Sequence, residues 1–243
     1  MISLHQFTTS PSECSYLPDR KASMRYEIVL QASAEDYEER LLSGWRKFGR
    51  AVFRPVCKRC RACQSVRVPT ATFHPDRSQR RARKANPDVE VVVAEPSVTE
   101  EKLALYDSFH EYQSAAVGWT EHGPKNPAEY HQSFVDNPFP TEEWQYRLAG
   151  RLIGVGYVDV VSAGLSAIYF YYDPAERDRS LGTYNVLRVI ESAAARGLPH
   201  VYLGYYVAGC RSLEYKARFQ PNEVLGPDGE WAPFRAQSAS RER

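Results

Sequence analysis

Three cysteines lie close together in the first third of the chain. Cys57, Cys60 and Cys63 form a C-x-x-C-x-x-C pattern, and Cys14 is a candidate for a fourth ligand from further away. Both zinc ions and iron–sulfur clusters are held by thiolates at this kind of spacing. The pattern therefore predicts a zinc or iron–sulfur site, with free, reactive thiols as the alternative. Cys210 lies in a different motif and is expected to be a small buried residue.

Basic side chains surround these cysteines. Four of them are expected to lower the pKa values of the thiols, namely Arg54, Lys58, Arg59 and Arg61. They belong to a block from Arg46 to Lys84 with thirteen Lys or Arg residues and one acidic residue, Asp76. Aromatic residues interleave with this block, which favours a folded, anion-binding surface. A solvated face without a ligand is the alternative.

A short helix is predicted at the end of the basic block. Asp76 or Ser78 caps it, and Asn86-Pro87 stops it. Residues three, four and seven apart lie on the same face of a helix. The helix therefore presents one basic face, suited to a phosphate backbone, formed by Arg77, Arg80, Arg81 and Lys84.

Tyrosines and charged residues follow the apolar run Val201–Val207 near the end of the chain. Tyr205 and Tyr206 close this run, and Lys216 and Glu223 lie in the next segment. Sites in α/β cores form where strands end, so this segment is a candidate cleft. An aromatic edge of the core with a satisfied lysine is the alternative.

The elements that position these residues fall into two groups. Glu95-Pro96-Ser97 is typical of a joint, so we predict a small β-rich N-terminal domain over residues 1–95 and a second domain over residues 96–243. The first group contains one helix and short strands, at Arg25–Leu30, Ala34–Ser43 (helix), Ala51–Phe53, Ser65–Phe73 and Val89–Ala94.

The second group begins with a helix near Thr99–Gln113 and continues with the hairpin Leu152–Val161 and Ser166–Tyr172. A glycine-bearing turn, a helix to Arg196 and the strand Val201–Val207 follow. This order resembles the acyl-transfer core of the GCN5-like N-acyltransferase (GNAT) fold. The predicted fold class is therefore α+β, a mixed α/β protein with a GNAT-like C-terminal domain.

The composition excludes several classes of protein. The sequence contains no apolar run of about 18 residues, and residues 1–18 lack the order of a signal peptide. We therefore expect a cytoplasmic monomer without a membrane partner. Five cysteines in such a chain favour thiolate ligands or buried thiols over disulfides.

Five segments, in order, carry a resemblance to a known family. They are Cys14–Pro18, Phe53–Cys63, Ser78–Arg81, Arg179–Tyr184 and Tyr202–Tyr206. Together they resemble the arginyl-tRNA–protein transferase family, and they are most similar to its bacterial branch, the aspartate/glutamate leucyltransferases. The resemblance runs from about Cys14 to Trp231. It implies transfer of an amino acid, leucine in that branch, from aminoacyl-tRNA to the N-terminal Asp or Glu of proteins, which marks them for degradation.

Two segments depart from the family pattern. Ser212-Leu213 replaces a Lys-Met pair that precedes the Tyr-Lys of the last motif. The chain reads Tyr112-Gln113-Ser114-Ala115-Ala116-Val117, and the departure lies at Ala115-Ala116, where the family carries an Arg-His pair after the Tyr-Gln. These departures leave the identity of the transferred amino acid open.

The reaction that the family implies is aminolysis of an ester. A free α-amine has a pKa near 7.7–8.0, so a strong general base is not obligatory, and positioning with oxyanion donors supplies most of the rate. Lys216 is expected to neutralise the acceptor carboxylate or the oxyanion, with Glu223 orienting it. Tyr205 or Tyr206 is expected to donate a hydrogen bond. Asp173 is a candidate to hold the incoming ammonium, or simply a turn residue.

The tRNA is expected to contact two further places. Arg179 and the backbone amides around Gly182 would receive its terminal phosphates at a helix amino end. The basic face of Arg77, Arg80, Arg81 and Lys84 would hold its acceptor stem.

Two other functions remain open from the sequence. One is a coenzyme A-dependent N-acetyltransferase, but Tyr184 is expected to obstruct a pyrophosphate loop, so no coenzyme A is expected. The other is a metal-stabilised nucleic-acid-binding module, which would leave the cleft motifs of the second group unexplained.

Overall fold

The computed structural model of the protein describes residues 1–121 and 123–234. The elements before residue 95 are β1 (Ile2–Thr8), β2 (Ser12–Glu13), β3 (Lys21–Ala22), β4 (Met24–Gln31), α1 (Ala34–Leu42), β5 (Arg46–Phe48), β6 (Ala51–Pro55), β7 (Gln64–Pro69), α2 (Arg77–Lys84) and β8 (Val89–Ala94).

The elements after residue 95 include two 3-10 turns and one π-helical turn. They are α3 (Glu100–Val117), α4 (Pro127–Tyr130), the π turn His131–Val135, β9 (Thr141–Leu148), β10 (Arg151–Val161), β11 (Gly164–Tyr172), the 3-10 turn Pro174–Arg179, α5 (Leu181–Ala195), β12 (His200–Tyr206), α6 (Arg211–Glu214), the 3-10 turn Tyr215–Arg218, β13 (Glu223–Leu225) and β14 (Trp231–Pro233).

The bounds of α3 show how caps set the length of a helix. The Thr99 side chain accepts a hydrogen bond from the Lys102 amide at the amino end. At the other end Gly118 takes a left-handed conformation with φ 80°, which suits glycine because it has no Cβ. The helix therefore runs four residues beyond the expected end at Gln113, to Val117.

An eight-stranded sheet in the order β14-β13-β7-β12-β11-β10-β9-β8 forms the centre of the molecule. One face packs on α5, whose apolar side includes Val186, Leu187 and Ile190. The opposite face packs on α3, α4 and the π turn through Phe109, Phe134 and other buried rings. Both faces are covered, which explains why β10 is buried along most of its length.

A four-stranded sheet in the order β1-β4-β6-β5 packs beside this core together with α1. Its β5–β6 hairpin lies against the π turn, where Gly49 leaves no room for a Cβ beside the Gln132 carbonyl. Arg50 donates from Nε to both carboxylate oxygens of Asp136 at 2.9 and 3.0 Å. The turn of the β5–β6 hairpin is therefore fixed to the π turn and to the residue after it.

This architecture confirms the predicted α+β class with a GNAT-like core. The large sheet contains β7 and β8 from before residue 95, and β8 pairs with β9 from after it. The division of the chain at residue 95 stays a prediction. In the described ranges, each helix is too short or too polar to span a lipid bilayer.

Candidate active site

Strands β11 and β12 are parallel neighbours that separate after a short contact. They pair only at Leu165 with Val201 and at Ser166 with Tyr202, although both strands continue further. Such a gap between adjacent strands exposes main-chain groups within a sheet. The gap is therefore a candidate position for a ligand.

Arg46, the first residue of β5, enters this gap from the small sheet. Its Nη1 donates to Ser166 Oγ at 2.9 Å and its Nη2 donates to the Ala167 carbonyl at 2.6 Å. The guanidinium lies beside Gly204, which has a φ of +82° and would bring a Cβ to 3.3 Å from Arg46 Nε. In the sequence, Arg46 is one of the residues of the basic block, and nothing in its local pattern marks it as a site residue.

Lys216 lies near Arg46 in the turn that follows α6. Its Nζ donates to the Tyr205 carbonyl at 2.8 Å, and the residue is 8% exposed. Burial lowers the pKa of Lys216 to about 7, and the positive charge of Arg46 acts in the same direction. A lysine with such a pKa exchanges a proton readily near neutral pH.

Tyr205 and Tyr206 are consecutive strand residues, so their side chains lie on opposite faces of the sheet. Tyr205 is buried and its hydroxyl donates to the Gly44 carbonyl at 2.9 Å. Burial also raises the pKa of Tyr205. Tyr206 instead packs on Phe234, with ring centroids 4.8 Å apart. Of the two, Tyr205 therefore lies on the side of the small sheet and the cysteines.

The expected contact between Glu223 and Lys216 was wrong. Glu223 lies opposite Arg67 in the antiparallel pair of β13 and β7, and Arg67 Nε donates to its carboxylate at 2.7 Å. His200 Nε2 is 3.8 Å from the same oxygen. The register of the sheet, rather than closeness in sequence, decides the partner of Glu223.

Asp173 occupies a turn at the end of β11. Its carboxylate accepts a hydrogen bond from the Ala175 amide at 2.9 Å, which caps the following 3-10 turn, and it forms an ion pair with Arg151. These contacts match the turn role that was the alternative to holding an ammonium group.

The amino end of α5 carries the predicted phosphate-binding group. Arg179 already pairs with Asp88, from Nη1 at 2.8 Å and Nη2 at 3.1 Å, and its Nε donates to Glu176 at 2.8 Å. These carboxylates raise the pKa of Arg179 and compensate its charge. A Cβ at Gly182 would meet no atom within 4 Å, so the backbone there is open.

Tyr184 was expected to obstruct this turn, but it does not. Its side chain is 5% exposed and packs in the core, with its ring centroid 6.0 Å from that of Tyr146. The prediction that Tyr184 would keep a pyrophosphate out of this turn was therefore wrong. The ion pairs of Arg179 are the feature that distinguishes this turn from a free anion site.

Helix α2 has the predicted form. The Asp76 side chain accepts from the Gln79 amide at 2.7 Å, and the Gln79 side chain accepts from the Asp76 amide at 2.8 Å. Gln79 is buried and also donates to the Arg218 carbonyl at 3.1 Å, which ties α2 to the turn that holds Lys216. The four predicted basic side chains are all exposed, namely Arg77, Arg80, Arg81 and Lys84.

The cysteine loop borders an open cavity of about 430 Å³. Cys57, Cys60 and Cys63 line it from one side and Tyr205 from another. Burial raises the pKa of Cys63 to about 12, and nearby thiols, including that of Cys14, act in the same direction. The expected lowering of thiol pKa values by basic neighbours was wrong for Cys63, because desolvation dominates.

The four cysteines are neighbours, but their arrangement is open. Cys14, Cys57 and Cys60 all lie close enough to Cys63 to affect its pKa, as does Cys210. Their thiols are the ligand type that zinc and iron–sulfur clusters use. Within residues 1–121 and 123–234, however, no three His, Cys, Asp or Glu side chains are arranged to hold a metal ion. The thiols are of the chemical type that binds a metal ion, but in this structure they are not arranged around a common point.

The core, with its separating parallel strands and a buried lysine beside the gap, has the GNAT-like fold. The solved structure of FemX has a TM-score of 0.50 with it at 8% sequence identity, covering 90% of this chain and 85% of that chain, which supports the fold alone.

Family comparisons identify the class within that fold. Models of the arginine-tRNA-protein transferase amino and carboxy termini match residues 12–81 and 101–226. The aspartate/glutamate leucyltransferase of Stenotrophomonas maltophilia is 38% identical, covering 95% of this chain and 93% of its own. That of Chromohalobacter salexigens is 40% identical, covering 91% and 90%. That of Campylobacter jejuni is 34% identical, covering 90% and 92%. The chain belongs to the arginine-tRNA-protein transferase family and is a transferase.

Proposed function

We propose that this protein transfers leucine from leucyl-tRNA to proteins that begin with Asp or Glu, and so marks them for degradation in the cytoplasm. Full-length similarity to proteins named aspartate/glutamate leucyltransferase supports this choice of donor and acceptor. The structural observation that carries the proposal is the pair of buried basic groups, Arg46 and Lys216, at the gap between β11 and β12. An anionic acceptor and a developing oxyanion are the partners that such groups bind best.

The reaction forms an amide bond and breaks an ester bond. The α-amine nitrogen of the acceptor attacks the carbonyl carbon of the aminoacyl ester, and the bond between that carbon and the ribose oxygen breaks. One proton must leave the nitrogen and one must reach the ribose oxygen. Lys216, with its pKa near 7, is suited to carry this proton. This role differs from the purely electrostatic one expected from the sequence.

Arg46 is proposed as the cation that faces the developing charge. Its hydrogen bonds to Ser166 and to the Ala167 carbonyl fix its plane, so little reorganisation is needed when a negative charge forms. Tyr205 is proposed to position Lys216, because its carbonyl accepts from Lys216 Nζ and its hydroxyl donates to the Gly44 carbonyl.

The basic face of α2 is proposed to hold the acceptor stem of the tRNA. The contact of buried Gln79 with the Arg218 carbonyl fixes α2 against the turn that carries Lys216, and the four basic side chains of the helix are exposed. Phosphate contacts of this kind give affinity without sequence preference. They would bring the charged end of the tRNA towards the gap.

We also propose a zinc ion or iron–sulfur cluster on Cys14, Cys57, Cys60 and Cys63. Such a group would fix the cysteine loop, and with it one wall of the cavity beside Tyr205. Metal analysis and an absorption spectrum of anaerobically purified protein test this proposal, with Cys210→Ala as the control. A metal-free, colourless preparation with full transfer activity contradicts it.

The transfer assay tests the function directly. Radiolabelled leucyl-tRNA and arginyl-tRNA are each incubated with the protein and with peptides that differ only in an N-terminal Asp, Glu or Ala. We expect label from leucyl-tRNA in the Asp and Glu peptides only. Label from arginyl-tRNA alone would reject leucine as the donor, and RNA binding without transfer would favour a nucleic-acid-binding module. Acetylation of the same peptides by acetyl coenzyme A would favour the acetyltransferase alternative.

A further inference from the structure

A row of aromatic rings, exposed at its outer end, crosses the small sheet on the face that carries Arg46. Phe7 on β1 pairs with Tyr26 on β4, Tyr26 pairs with Phe53 on β6, and Phe53 pairs with Arg46 on β5. Residues directly opposite each other in an antiparallel sheet share a face. The row therefore leads from the outer edge of the sheet to the guanidinium in the gap between β11 and β12.

Neighbouring rings of this row contact each other. The centroids of Phe7 and Tyr26 are 5.2 Å apart with planes 17° apart, and those of Tyr26 and Phe53 are 5.6 Å apart with planes tilted by 42°. His5 extends the row, stacked on Phe7 at 5.4 Å. Phe7 is 41% exposed and His5 is exposed, so the outer half of the row faces solvent.

We propose that this aromatic row binds the single-stranded 3′ end of the aminoacyl-tRNA and guides it to the gap. This inference rests on the proposed function and adds to it a surface that the basic helix α2 does not provide. Bases stack on exposed aromatic side chains without strong sequence preference.

The length of the row agrees with this occupant. Three spacings between neighbouring strands, of about 4.8 Å each, separate Phe7 from Arg46, which gives about 14 Å. One base on each ring would follow the spacing of the strands, so the row of three rings matches a single-stranded segment of about three nucleotides.

The charges around the row also suit a nucleic acid. Strand β6 ends two residues after Phe53, and the cysteine loop that follows exposes Lys58 and Arg59. Arg20 reaches the same loop, with its Nη1 3.6 Å from Cys60 Sγ. Aromatic rings flanked by cations are the usual composition of surfaces that bind single-stranded nucleic acids.

Two RNA hairpins that mimic the acceptor stem test the proposal. One carries a four-nucleotide 3′ overhang and the other is blunt, and their affinities are measured by fluorescence anisotropy at one salt concentration. We expect the wild-type protein to bind the overhang hairpin about tenfold more tightly than the blunt one, the size of one base stacked on a ring. In Phe7→Ala the ratio of the two affinities should fall close to one, and in Phe7→Tyr it should stay near the wild-type value.

Leu4→Ala is the matched control. Leu4 is 66% exposed on the same strand but adds no ring to the row, so its variant should keep the wild-type ratio. An unchanged ratio in Phe7→Ala, with the fold verified by its melting curve, would overturn the proposal. So would a wild-type dimer that Phe7→Ala dissociates, because the edge would then belong to a second copy of this chain.

The transfer assay separates this inference from the proposed function. A wild-type protein that transfers leucine but binds both hairpins equally would reject the aromatic row and uphold the function. A protein that prefers the overhang through Phe7 but transfers no amino acid would uphold the row and reject the function.

Discussion

Two groups of buried basic residues in this protein differ in how their charges are compensated. Lys102 lies 2.5 Å from Glu143, and Lys47 lies 3.0 Å from Asp159, with all four side chains at most 3% exposed. Lys216 and Arg46 are also buried, but they bind a carbonyl, or a hydroxyl and a carbonyl. Among the described residues, no carboxylate oxygen lies within 4.0 Å of the charged nitrogens of either residue, which is the limit for an ion pair.

The pairs with carboxylates belong to the architecture of the fold. Glu143 also accepts hydrogen bonds from the Tyr157 hydroxyl and the Ser97 amide, both at 3.1 Å. Lys102 donates to the side chain and carbonyl of Ser97 at 2.6 and 2.9 Å. This network fixes the start of α3 on the sheet and leaves no charge over for a ligand.

The uncompensated groups have the opposite property. Burial without a counter-ion is unfavourable for a cation, and the lowered pKa of Lys216 is the result. A protein keeps such a group where a ligand supplies the missing charge or takes the proton. The comparison therefore separates structural charges from functional ones by their partners rather than by their burial.

Removing one partner of a buried lysine–carboxylate pair should give the largest change in the free energy of unfolding. Lys102→Met leaves the Glu143 carboxylate buried without its cation, and we expect the free energy of unfolding to fall by about 3–5 kcal/mol. Urea unfolding measures this value. Adding Glu143→Gln, which removes the charge but keeps an oxygen acceptor, should restore part of the loss.

Lys21→Met is the control for that experiment, because Lys21 pairs only with the exposed Glu13. Lys21→Met should lower the free energy of unfolding by less than about 1 kcal/mol. A similar cost for Lys21→Met and Lys102→Met would show that burial of the pair does not matter.

Changing the uncompensated lysine should affect activity more than stability. We expect Lys216→Met to lower the rate of leucine transfer about hundredfold, or about 2.7 kcal/mol, because the proton carrier is lost. Single-turnover transfer measures this rate. The folded state should be at least as stable as the wild type near pH 6, since an unpaired buried charge is gone.

Lys216→Arg distinguishes the two roles considered for this residue. Arginine stays protonated at every accessible pH, so it retains activity if the site needs a cation and loses it if the site needs a proton carrier. Retained activity would return Lys216 to the electrostatic role expected from the sequence.

The pH dependence of stability gives a smaller effect with a defined sign. The folded pKa of Lys216 is about 7, below the ordinary value near 10.4. Between these values the unfolded chain holds a proton that the folded protein has lost, so stability rises with pH. The slope approaches about 1.4 kcal/mol per pH unit.

Urea unfolding of the wild type and Lys216→Met from pH 6.5 to 8.5 isolates this slope. The raised pKa of Cys63 gives a slope of opposite sign once free thiols ionise, but it is common to both proteins and cancels in their difference. Parallel stability curves for the two proteins would show that Lys216 titrates normally.

The sequence predicts features that depend on neighbouring residues, such as helix α2, well. It predicts contacts between residues far apart in the chain poorly. Helix α2 follows from a capping residue and a period, so Asp76 and the four basic side chains lie as predicted. The contact of Arg46 with Ser166 joins residues 120 positions apart, and no local pattern indicates it. Glu223 failed as a partner of Lys216 because strand register placed it opposite Arg67.

Burial is the other quantity that spacing does not reveal. Basic neighbours of the cysteines suggested lowered thiol pKa values, but desolvation raises that of Cys63. For Lys216, the same effect turns a residue expected to be a plain cation into one that exchanges a proton near neutral pH. Charge patterns in the sequence therefore indicate where a site lies better than they indicate its chemistry.

The smallest predicted effect is a change in tRNA affinity when paired and unpaired arginines on the surface of α2 are replaced. Arg81 is exposed, whereas Arg83 on the same helix forms an ion pair with Glu191. If α2 holds phosphates, Arg81→Ala should weaken tRNA binding a few-fold and reduce the slope of log affinity against log salt by about 1. Arg83→Ala should leave that slope unchanged, because Glu191 already compensates its charge. Equal slopes for both variants would mean that phosphates contact another face, and that pairing with a carboxylate does not separate structural from functional charges on this surface.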